Sequence, residues 1–294
     1  MSRVEDCKIC HSPTAEVGRK FGEHLRQWYV LRHCRTCRFS FISNPSSVDE
    51  GIYSAEYYAG KGADPLVDYL FELECPRQSI RQYEWLGILK VIKSLVVLGS
   101  STQWLDFGCG NGGLVRYVRE HETCRIVGFE EGWIRTKVAA LGIPLVDKES
   151  LGRSRGTFDI VTAIEVLEHV ENPLAILAEI RRVLKPGGVF FCTTGNARPF
   201  RGRLLEWRYI IPEVHLSFFE PDTLAYALRL SGLQPEFKGF LPGFVDIIRF
   251  KILKNLWVHR ASLWEQLLPW GVLARLANLR LQISAHPIGW VTTL

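Results

Sequence analysis

The sequence has no run of 18 residues that is apolar and free of charge, which excludes a membrane-spanning helix. Residues Met1 to Asp6 are polar and form no apolar signal region, so we expect a cytoplasmic protein. A strong excess of one charge is also missing, because 36 Lys and Arg face 31 Asp and Glu. Most of the net charge of +5 lies between Val245 and Leu294. This uneven distribution favours an acidic partner or surface near the tail over a protein that coats nucleic acid.

Eight cysteines in a chain expected in a reducing compartment indicate metal binding or reactivity before disulfides. Two C-x-x-C pairs stand out, Cys7 with Cys10 and Cys34 with Cys37. Such turns can bring four thiolates around one tetrahedral zinc ion. The first pair and His11 also match the attachment pattern of c-type haem, but haem leaves the second pair unexplained and requires export. We therefore predict zinc, and treat the other cysteines as small buried residues: Cys75, Cys109, Cys124 and Cys192.

A strand that ends in a carboxylate and runs into a glycine-rich turn is predicted near residue 106. Trp104 and Leu105 lead into Asp106, and glycines follow at alternate positions: Gly108, Gly110 and Gly112. Helix-forming residues from Leu114 to Glu120 complete a strand, turn and helix. Glycine allows the sharp turn and leaves no side chain between the backbone and a ligand.

This turn fits two kinds of ligand. Gly108, Gly110 and Gly113 also satisfy the G-x-G-x-x-G pattern of dinucleotide-binding proteins. In those proteins an anionic pyrophosphate lies over the turn, where Asp106 would repel it. S-adenosylmethionine instead carries an ammonium and a sulfonium group, which the same carboxylate attracts. Charge therefore favours S-adenosylmethionine.

Acidic residues follow the next predicted strands. Glu130 lies 18 residues beyond Gly112, a spacing at which a strand-end carboxylate can accept hydrogen bonds from both ribose hydroxyls. Asp147 follows a short third strand and is expected to face the adenine amino group. The strand Phe158–Ile164 is apolar and ends at Glu165. The predicted cofactor site contains these acids, Asp106 and the turn: Gly108, Cys109, Gly110 and Gly112.

The hydrophobic-D-x-G-x-G-x-G pattern at Asp106 resembles motif I of the class I S-adenosylmethionine-dependent methyltransferases. The segment FDIVTAIEVLEHVENPLAILAEIRRVLKPGG, residues 158–188, resembles the region that follows the cofactor site in that family. Together with the four paired cysteines, the chain is similar to bacterial methyltransferases that carry an N-terminal zinc-binding module and act on small molecules. Sugar-nucleotide C-methyltransferases are among them. The resemblance covers roughly residues 5–240 and implies a doubly wound, Rossmann-like α/β sheet.

Four regions are predicted along the chain. They are a zinc-binding module (1–45) with a hairpin at Lys20–Leu31, a linker with leading helices (46–98), a methyltransferase domain (99–244) and a helical C-terminal extension (245–294). A helix is expected within 76–98 and the last antiparallel strands within 232–244. Tyrosines of the linker could line a ligand mouth or pack onto the core: Tyr53, Tyr57 and Tyr58. The extension could pack on the core, cap the pocket, contact a membrane surface or form a dimer.

His215 is the predicted general base, because its ordinary pKa is near neutral and it is expected at the pocket edge. The alternative is a histidine that only bonds the backbone. His169 is a second candidate, although in proteins that resemble this one it orders the turn. Arginines in the loop after the fifth strand could bind a phosphorylated or nucleotide-linked substrate or simply contact solvent: Arg198, Arg201, Arg203 and Arg208, with Phe200 nearby.

The expected reaction is methyl transfer to an oxygen or carbon of a small molecule, such as a sugar or a precursor of a secondary metabolite or polysaccharide. The sequence Glu213-Val214-His215 departs from the resembling C-methyltransferases, because the acid and the histidine are not adjacent. There are two alternative functions. An RNA methyltransferase is disfavoured by the lack of an N/D-P-P-Y/F motif and of a Pro-Cys pair. A binding protein with a vestigial pocket is disfavoured by the intact Asp106 and Glu130.

Overall fold

The computed structural model describes residues 5–46, 51–237, 241, 243–283 and 290–293. Its strands are β1 (Ala15–Gly22), β2 (Gln27–His33), β3 (Ser40–Ile42), β4 (Gln103–Phe107), β5 (Arg125–Phe129), β6 (Leu145–Val146), β7 (Phe158–Ile164), β8 (Leu184–Thr193), β9 (Ser217–Phe218), β10 (Gln234–Glu236) and β11 (Trp290–Thr293). Its helices are α1 (Ala55–Tyr58), α2 (Tyr69–Glu74), α3 (Arg81–Leu95), α4 (Gly113–His121), α5 (Arg135–Ala140), α6 (Lys148–Arg153), α7 (Pro173–Val183), α8 (Pro221–Leu230), α9 (Gly243–Asn255), α10 (Leu263–Gln266) and α11 (Trp270–Ile283). Within these described ranges, no helix combines the length and apolarity needed to cross a membrane.

The main sheet has the strand order β10-β11-β8-β7-β4-β5-β6. The five strands from β8 to β6 in this order are parallel, whereas β11 runs antiparallel to both of its neighbours. The chain builds outward from β4 to β6 and then returns to the other side of β4 for β7. In such sheets ligands bind outside the carboxyl ends of the strands at this reversal. The prediction of a doubly wound, Rossmann-like α/β sheet is confirmed.

The end of the main sheet differs from the expectation. Among the described residues of the range 232–244, only β10 is a strand, and its antiparallel neighbour β11 comes from the end of the chain. Gly243 instead begins α9, whose buried residues Phe244, Ile247 and Ile248 recur with helical spacing. The region 245–294, predicted as a helical extension, thus contains three helices and one strand of the main sheet.

Helices cover both faces of the main sheet. α3, which matches the helix predicted within 76–98, shares an apolar core with α4 and α9, while α7 and α8 share the core on the other face. α3 and α9 approach closely because both have glycine at the crossing. A Cβ atom at Gly87 would lie 2.6 Å from the carbonyl oxygen of Gly243. This contact fixes α9 against the body beside the carboxyl ends of the strands.

The residues before the main sheet form a smaller sheet with the order β1-β2-β3-β9. β1 and β2 are the hairpin expected between the two cysteine pairs. β3 pairs with β9, which lies in the segment that follows β8. At the hairpin turn, the backbone amides of His24 and Leu25 donate to the carboxylate of Glu213 at 2.7 and 2.8 Å. The N-terminal module therefore supports the segment between β8 and β9.

Candidate active site

A cavity of about 1190 Å³ opens at the carboxyl ends of β4 and β7. Two sides of it differ in chemistry. We call one the glycine-turn side, lined by Asp106, Gly108, Cys109, Gly110, Asn111 and Glu130. We call the other the histidine side, lined by Glu165, Glu168, His169, Tyr209, His215 and Lys254.

The glycine-turn side depends on backbone conformations that favour glycine. Gly108, Gly110 and Gly112 have φ angles of 70°, 53° and 69°. The amides of Gly108 and Cys109 both donate to the carbonyl oxygen of Phe129, at 2.9 and 3.0 Å. These bonds tie the turn to the end of β5, so its backbone is held at the cavity surface.

Two carboxylates face this turn. Asp106 is buried and accepts a hydrogen bond from the Thr162 hydroxyl at 2.7 Å. Glu130 accepts bonds from the amides of Gly110 and Gly132 at 2.9 and 2.7 Å. Burial raises the pKa of Asp106 to about 7 and also raises the pKa of Glu130. A positively charged ligand would stabilise the ionised form of both groups.

Tyrosine rings from the segment before α3 cover the glycine-turn side. Tyr57 and Tyr58 are buried and touch edge to face, with ring centroids 5.2 Å apart. Tyr58 also stacks on Trp133 at 6.0 Å, and Tyr53 touches Tyr57 at 5.0 Å. Burial raises the pKa of Tyr53 and of Tyr58, so both are neutral phenols. The rings thus pack the segment onto the body and line the cavity as well.

A buried carboxyl group marks the histidine side. Glu168 accepts hydrogen bonds from the Tyr209 hydroxyl at 2.5 Å and from the Thr194 hydroxyl at 2.8 Å. Burial and the nearby charge of Glu165 raise the pKa of Glu168 to about 8. The raised pKa favours the protonated form of Glu168, which anchors the hydroxyl end of Tyr209.

His215 is buried and lies against the ring of Tyr209, with centroids 4.4 Å apart and planes 25° apart. Its Nδ1 lies 2.5 Å from the carbonyl oxygen of Tyr209. Because a carbonyl oxygen only accepts, Nδ1 carries the proton and Nε2 keeps a free lone pair. Burial lowers the pKa of His215, which favours this neutral form. The predicted base and its backbone-bonding alternative are therefore compatible, since different ring nitrogens serve the two roles.

His169 lies beside His215, with ring centroids 4.8 Å apart. Its Nδ1 is 3.0 Å from the carbonyl oxygen of Val214 and 3.1 Å from the Tyr53 hydroxyl. Burial and the neighbouring His215 lower the pKa of His169 to about 3. His169 connects the turn that follows β7 to the segment before β9. Its low pKa makes it a weak base.

An ion-pair network joins the histidine side to α3 and α9. Arg81 contacts Glu72 at 2.9 Å and Glu84 at 2.5 Å. Lys251 contacts Glu84 at 3.5 Å and Glu165 at 3.2 Å. Burial alone would raise the pKa of Glu165, but the charge of Lys251 holds that pKa well below its usual range. Glu165, which we predicted for the cofactor, is thus an ionised member of this network.

Two other residues predicted for the cofactor do not line the cavity. Gly112 is the cap residue before α4, and a Cβ atom there would lie 2.8 Å from the Val138 side chain, so this glycine packs against the body and not against the cavity. Asp147 is exposed and accepts a bond from the Ser150 amide at 2.7 Å, which caps α6. β6 lies at the edge of the main sheet, two strands from β4, and its end does not reach the cavity. The structure therefore shows Asp147 as a cap of α6 outside the cavity lining, which does not support the predicted adenine contact.

Among the four arginines of the loop after β8, Arg208 lines the cavity. Arg201 forms an ion pair with the buried Glu220. Arg203 and Arg198 are exposed. The loop thus offers one arginine to a substrate.

Several cavity residues carry no motif that sequence reasoning could use. Tyr209 lies six residues before His215, and Lys251 and Lys254 lie on α9, far from both motifs. The one available signal was the spacing of these lysines among apolar residues, which places both on one face of a helix. For Arg81 the sequence offers only the i,i+3 spacing to Glu84 on the same helix, whereas its other partner, Glu72, comes from α2.

The paired cysteines converge as predicted from their spacing. The Sγ atoms of Cys7 and Cys37 are 3.4 Å apart, as are those of Cys10 and Cys34, and all four lie within 4.8 Å of one another. Four sulfurs bound to zinc at about 2.3 Å would be about 3.8 Å apart in a tetrahedron. None of the four forms a disulfide. Donor type and spacing both fit one zinc ion.

The two cysteine turns share one backbone geometry. The amide of His11 donates to the carbonyl of Cys7 at 2.9 Å, and the amide of Arg38 donates to the carbonyl of Cys34 at 2.8 Å. His11 and Arg38 both have positive φ, at 56° and 65°. The two turns have the same conformation, and each contributes two thiols to one cluster.

Known proteins match the region that forms most of the cavity. A family model described as a methyltransferase domain matches residues 77–236, more than half of the chain. The ubiquinone biosynthesis O-methyltransferase of Cereibacter sphaeroides (strain ATCC 17029) is 34% identical over 148 residues, which cover 45% of this chain and 60% of that protein. The protein of the same name from Ruegeria pomeroyi is 32% identical over 155 residues, with coverage of 47% and 62%. The chain thus spans about three fifths of the length of these curated relatives.

Among solved structures, phosphoethanolamine N-methyltransferase 2 of Haemonchus contortus, in complex with S-adenosyl-L-methionine, has a TM-score of 0.50. The identity is 13%, and the match covers 96% of this chain and 69% of that chain. A likeness at this identity shows the fold alone.

Proposed function

We propose that this chain, which belongs to the class I S-adenosylmethionine-dependent methyltransferases, transfers a methyl group to a hydroxyl oxygen of a small organic molecule. One observation carries the proposal. A single cavity joins the glycine-turn side, which suits a cationic cofactor, to a neutral histidine with a free ring nitrogen. The relatives named O-methyltransferases support oxygen as the acceptor atom. For the rest of the acceptor we propose a sugar or a precursor of a secondary metabolite or polysaccharide.

When bound, S-adenosylmethionine would supply an electrophilic methyl group on a sulfonium, with S-adenosylhomocysteine as the leaving group. Asp106 would hold the cofactor's ammonium group, because a buried carboxylate is stabilised by an adjacent cation. Glu130 would accept the ribose hydroxyls while keeping its two amide bonds, since a carboxylate offers about four acceptor sites. The backbone from Gly108 to Gly110 would lie directly against the cofactor.

His215 would remove the hydroxyl proton through Nε2 as the oxygen attacks. Tyr209 positions the imidazole in two ways, because its carbonyl accepts the Nδ1 proton and its ring stacks on the imidazole. Glu168 in turn holds the Tyr209 hydroxyl. The ring therefore keeps one orientation and one tautomer. In this arrangement the protein accelerates methyl transfer by positioning and by proton removal.

We also propose that Cys7, Cys10, Cys34 and Cys37 hold a structural zinc ion. Four thiolates form a closed ligand set, which leaves no position for a substrate. The ion would order the module whose hairpin turn contacts Glu213 and whose strand β3 pairs with β9. Both contacts flank His215 in the sequence. Zinc would thus stabilise the histidine side indirectly, through the contacts of the module with Glu213 and β9.

The reaction is tested by incubating the protein with methyl-labelled S-adenosylmethionine and a panel of hydroxyl compounds, followed by a metabolite extract. We expect label in a methoxy group, identified by mass spectrometry and NMR. Label on carbon or nitrogen would reject the oxygen assignment. Absence of S-adenosylmethionine binding by calorimetry would reject the function as a whole. Asp147→Asn, which changes an exposed carboxylate outside the cavity, is the matched control and should leave cofactor binding unchanged.

The zinc site is tested by metal analysis of freshly purified protein, where we expect one zinc per chain. Cys34→Ser should lower the zinc content and the thermal unfolding temperature, because metal binding and folding of such a module are coupled. Cys124→Ser changes a buried cysteine outside the cluster and should keep the zinc. Zinc well below one per chain in the unaltered protein would contradict the assignment.

A further inference from the structure

Lys254, in the last turn of α9, lines the histidine side of the cavity. Lys251, one helical turn earlier, contacts Glu84 and Glu165. Lys254 itself forms no ion pair and donates no hydrogen bond to any residue that the structure describes. A cation in a partly desolvated position costs stability when nothing neutralises it. Lys254 is therefore available to a ligand.

A second free donor belongs to the same part of the cavity. Arg81 uses Nε toward Glu72 and Nη1 toward Glu84, whereas its buried Nη2 has no hydrogen-bond partner within the described ranges. The Arg81 guanidinium carbon lies 4.4 Å from the centroid of the Phe250 ring, and the Lys254 ammonium lies 5.9 Å from the same centroid. Both cations thus lie near the ring of Phe250, and both residues line the same cavity.

The charges that face Lys254 come from several elements. Burial lowers the pKa of Lys254, and the charges of Lys251 and Arg81 lower it further. Asp64 and Glu165 act in the opposite direction without reaching ion-pair distance. Arg81 and Lys251 have carboxylate partners, whereas an anion bound at Lys254 would stabilise the charged form of this lysine.

We infer that Lys254 and the free edge of Arg81 bind an anionic group of the acceptor, a phosphate or a carboxylate. The inference rests on the proposed function only for the identity of that molecule. Ammonium and guanidinium N–H groups form charge-assisted hydrogen bonds to the oxygens of both groups. Lys254 and His215 line the same cavity, so the anionic group would bind at α9 while the reacting hydroxyl lies at His215. Lys254 then determines specificity for charged over neutral acceptors.

Binding of two simple anions tests this site without turnover. Inorganic phosphate is titrated by phosphorus NMR and benzoate by proton NMR, against the full chain with S-adenosylhomocysteine added. We expect at least one anion to bind, and Lys254→Met to weaken its binding about tenfold or more, the loss that fits one charge-assisted hydrogen bond. Lys254→Arg should retain most of the affinity. Phosphate binding identifies a phosphorylated acceptor, and benzoate binding a carboxylated one.

Lys148→Met is the matched control, because it removes the same charge from a side chain that is 80% exposed and outside the cavity. S-adenosylhomocysteine affinity, measured by calorimetry, shows that each variant is folded and should not change. Equal anion affinity in both methionine variants would overturn the inference, as would binding of neither anion to the unaltered protein. If anions bind through Lys254 but no hydroxyl compound is methylated, the proposed function fails and this site stands. If neutral and anionic acceptors are methylated equally well, this site fails and the function stands.

Discussion

The two sides of the cavity are built from different kinds of chain segment. The glycine-turn side consists of residues that follow one another at the ends of β4 and β5, and backbone bonds to Phe129 hold them in place. The histidine side combines the end of β7, the segment between β8 and β9, and α9. Its geometry depends on long-range contacts such as that of Tyr209 with Glu168. A cofactor shared by a family can be bound by a local motif, whereas an acceptor is recognised by parts that differ from one chain to another.

The electrostatics of the two sides differ as well. On the glycine-turn side, buried Asp106 and half-buried Glu130 have raised pKa values, and neither forms an ion pair with a residue that the structure describes. On the histidine side, His215 is neutral and the ion pairs of Lys251 leave Lys254 unmatched. One side thus needs a positive ligand and the other needs a negative one. Variants of single residues should therefore affect cofactor and acceptor separately.

His215→Ala should give the largest difference between an effect on kcat and an effect on cofactor affinity. Removal of the general base should lower kcat by about 10²–10⁴-fold and leave the affinity for S-adenosylmethionine unchanged, as general-base catalysis contributes that much. In the unaltered protein, kcat should fall as the pH drops through the lowered pKa of His215, below its ordinary value of 6.5. Steady-state kinetics and calorimetry measure the two quantities.

His169→Gln is the matched control for that change. His169 neighbours His215, but its pKa of about 3 makes it a poor proton acceptor. We expect a loss in kcat below about tenfold from the altered turn, small beside a base's contribution. Two results together would assign the base role to His169: an equal loss of kcat in the two variants, and an unchanged pH profile of kcat in the His215 variant.

Asp106→Asn changes the glycine-turn side and should weaken the binding of S-adenosylmethionine. A cationic cofactor binds the ionised carboxylate, whose pKa without ligand is about 7. As the pH falls below that value, the ionised fraction falls about tenfold per unit, so the dissociation constant for S-adenosylmethionine should rise by up to that factor. The constant should be flat only between about pH 7 and about pH 8, where the cofactor's own α-amino group begins to lose its proton. The asparagine variant should bind about 10–100-fold more weakly and lose this pH dependence.

Calorimetry over a pH series measures this effect, with Asp147→Asn as the control. Asp147 follows β6, two strands from β4, and is predicted for the same ligand, but it caps α6 outside the cavity lining. Its variant should keep both the affinity and the pH slope. A slope that persists in Asp106→Asn would assign the titration to Glu130 instead.

The same contrast explains how far the sequence could predict this protein. The glycines at 108 and 110, with Asp106 and Glu130, could be predicted because strand ends and turns are local and their residues have few substitutes. The role of Asp147 could not, because it depends on how far the short edge strand β6 reaches. The first residues of α9, Gly243 and Phe244, fall within the range predicted as strand. A short apolar run fits a strand and a buried helix equally well, so periodicity alone could not decide between them. Lys254 and Arg81 meet only through the packing of α9 on α3, which no local pattern encodes.

Gly87→Ala tests whether the histidine side depends on that packing. A Cβ atom at Gly87 would lie 2.6 Å from the Gly243 carbonyl and 2.9 Å from the Ile247 amide nitrogen, so the backbone of α9 would have to shift. We expect a loss of about 1–3 kcal/mol in the free energy of unfolding, as for other overpacked cores. Denaturant titration measures it. Gly152→Ala in α6 is the control, because nothing lies within 4 Å of its Cβ position, and it should be neutral or slightly stabilising.

The smallest effect is expected for the arginines of the loop after β8. Arg208 lines the cavity at its exposed edge, whereas Arg198 is exposed outside it. Arg208→Ala should raise the KM of an anionic acceptor a few-fold, since an exposed charge pair contributes about 0.2–1 kcal/mol, and the effect should shrink at high salt. Arg198→Ala should leave KM unchanged at every salt concentration. Equal effects from both arginines would mean that the loop attracts acceptors through its summed charge, and only Lys254 and Arg81 would then distinguish one anion from another.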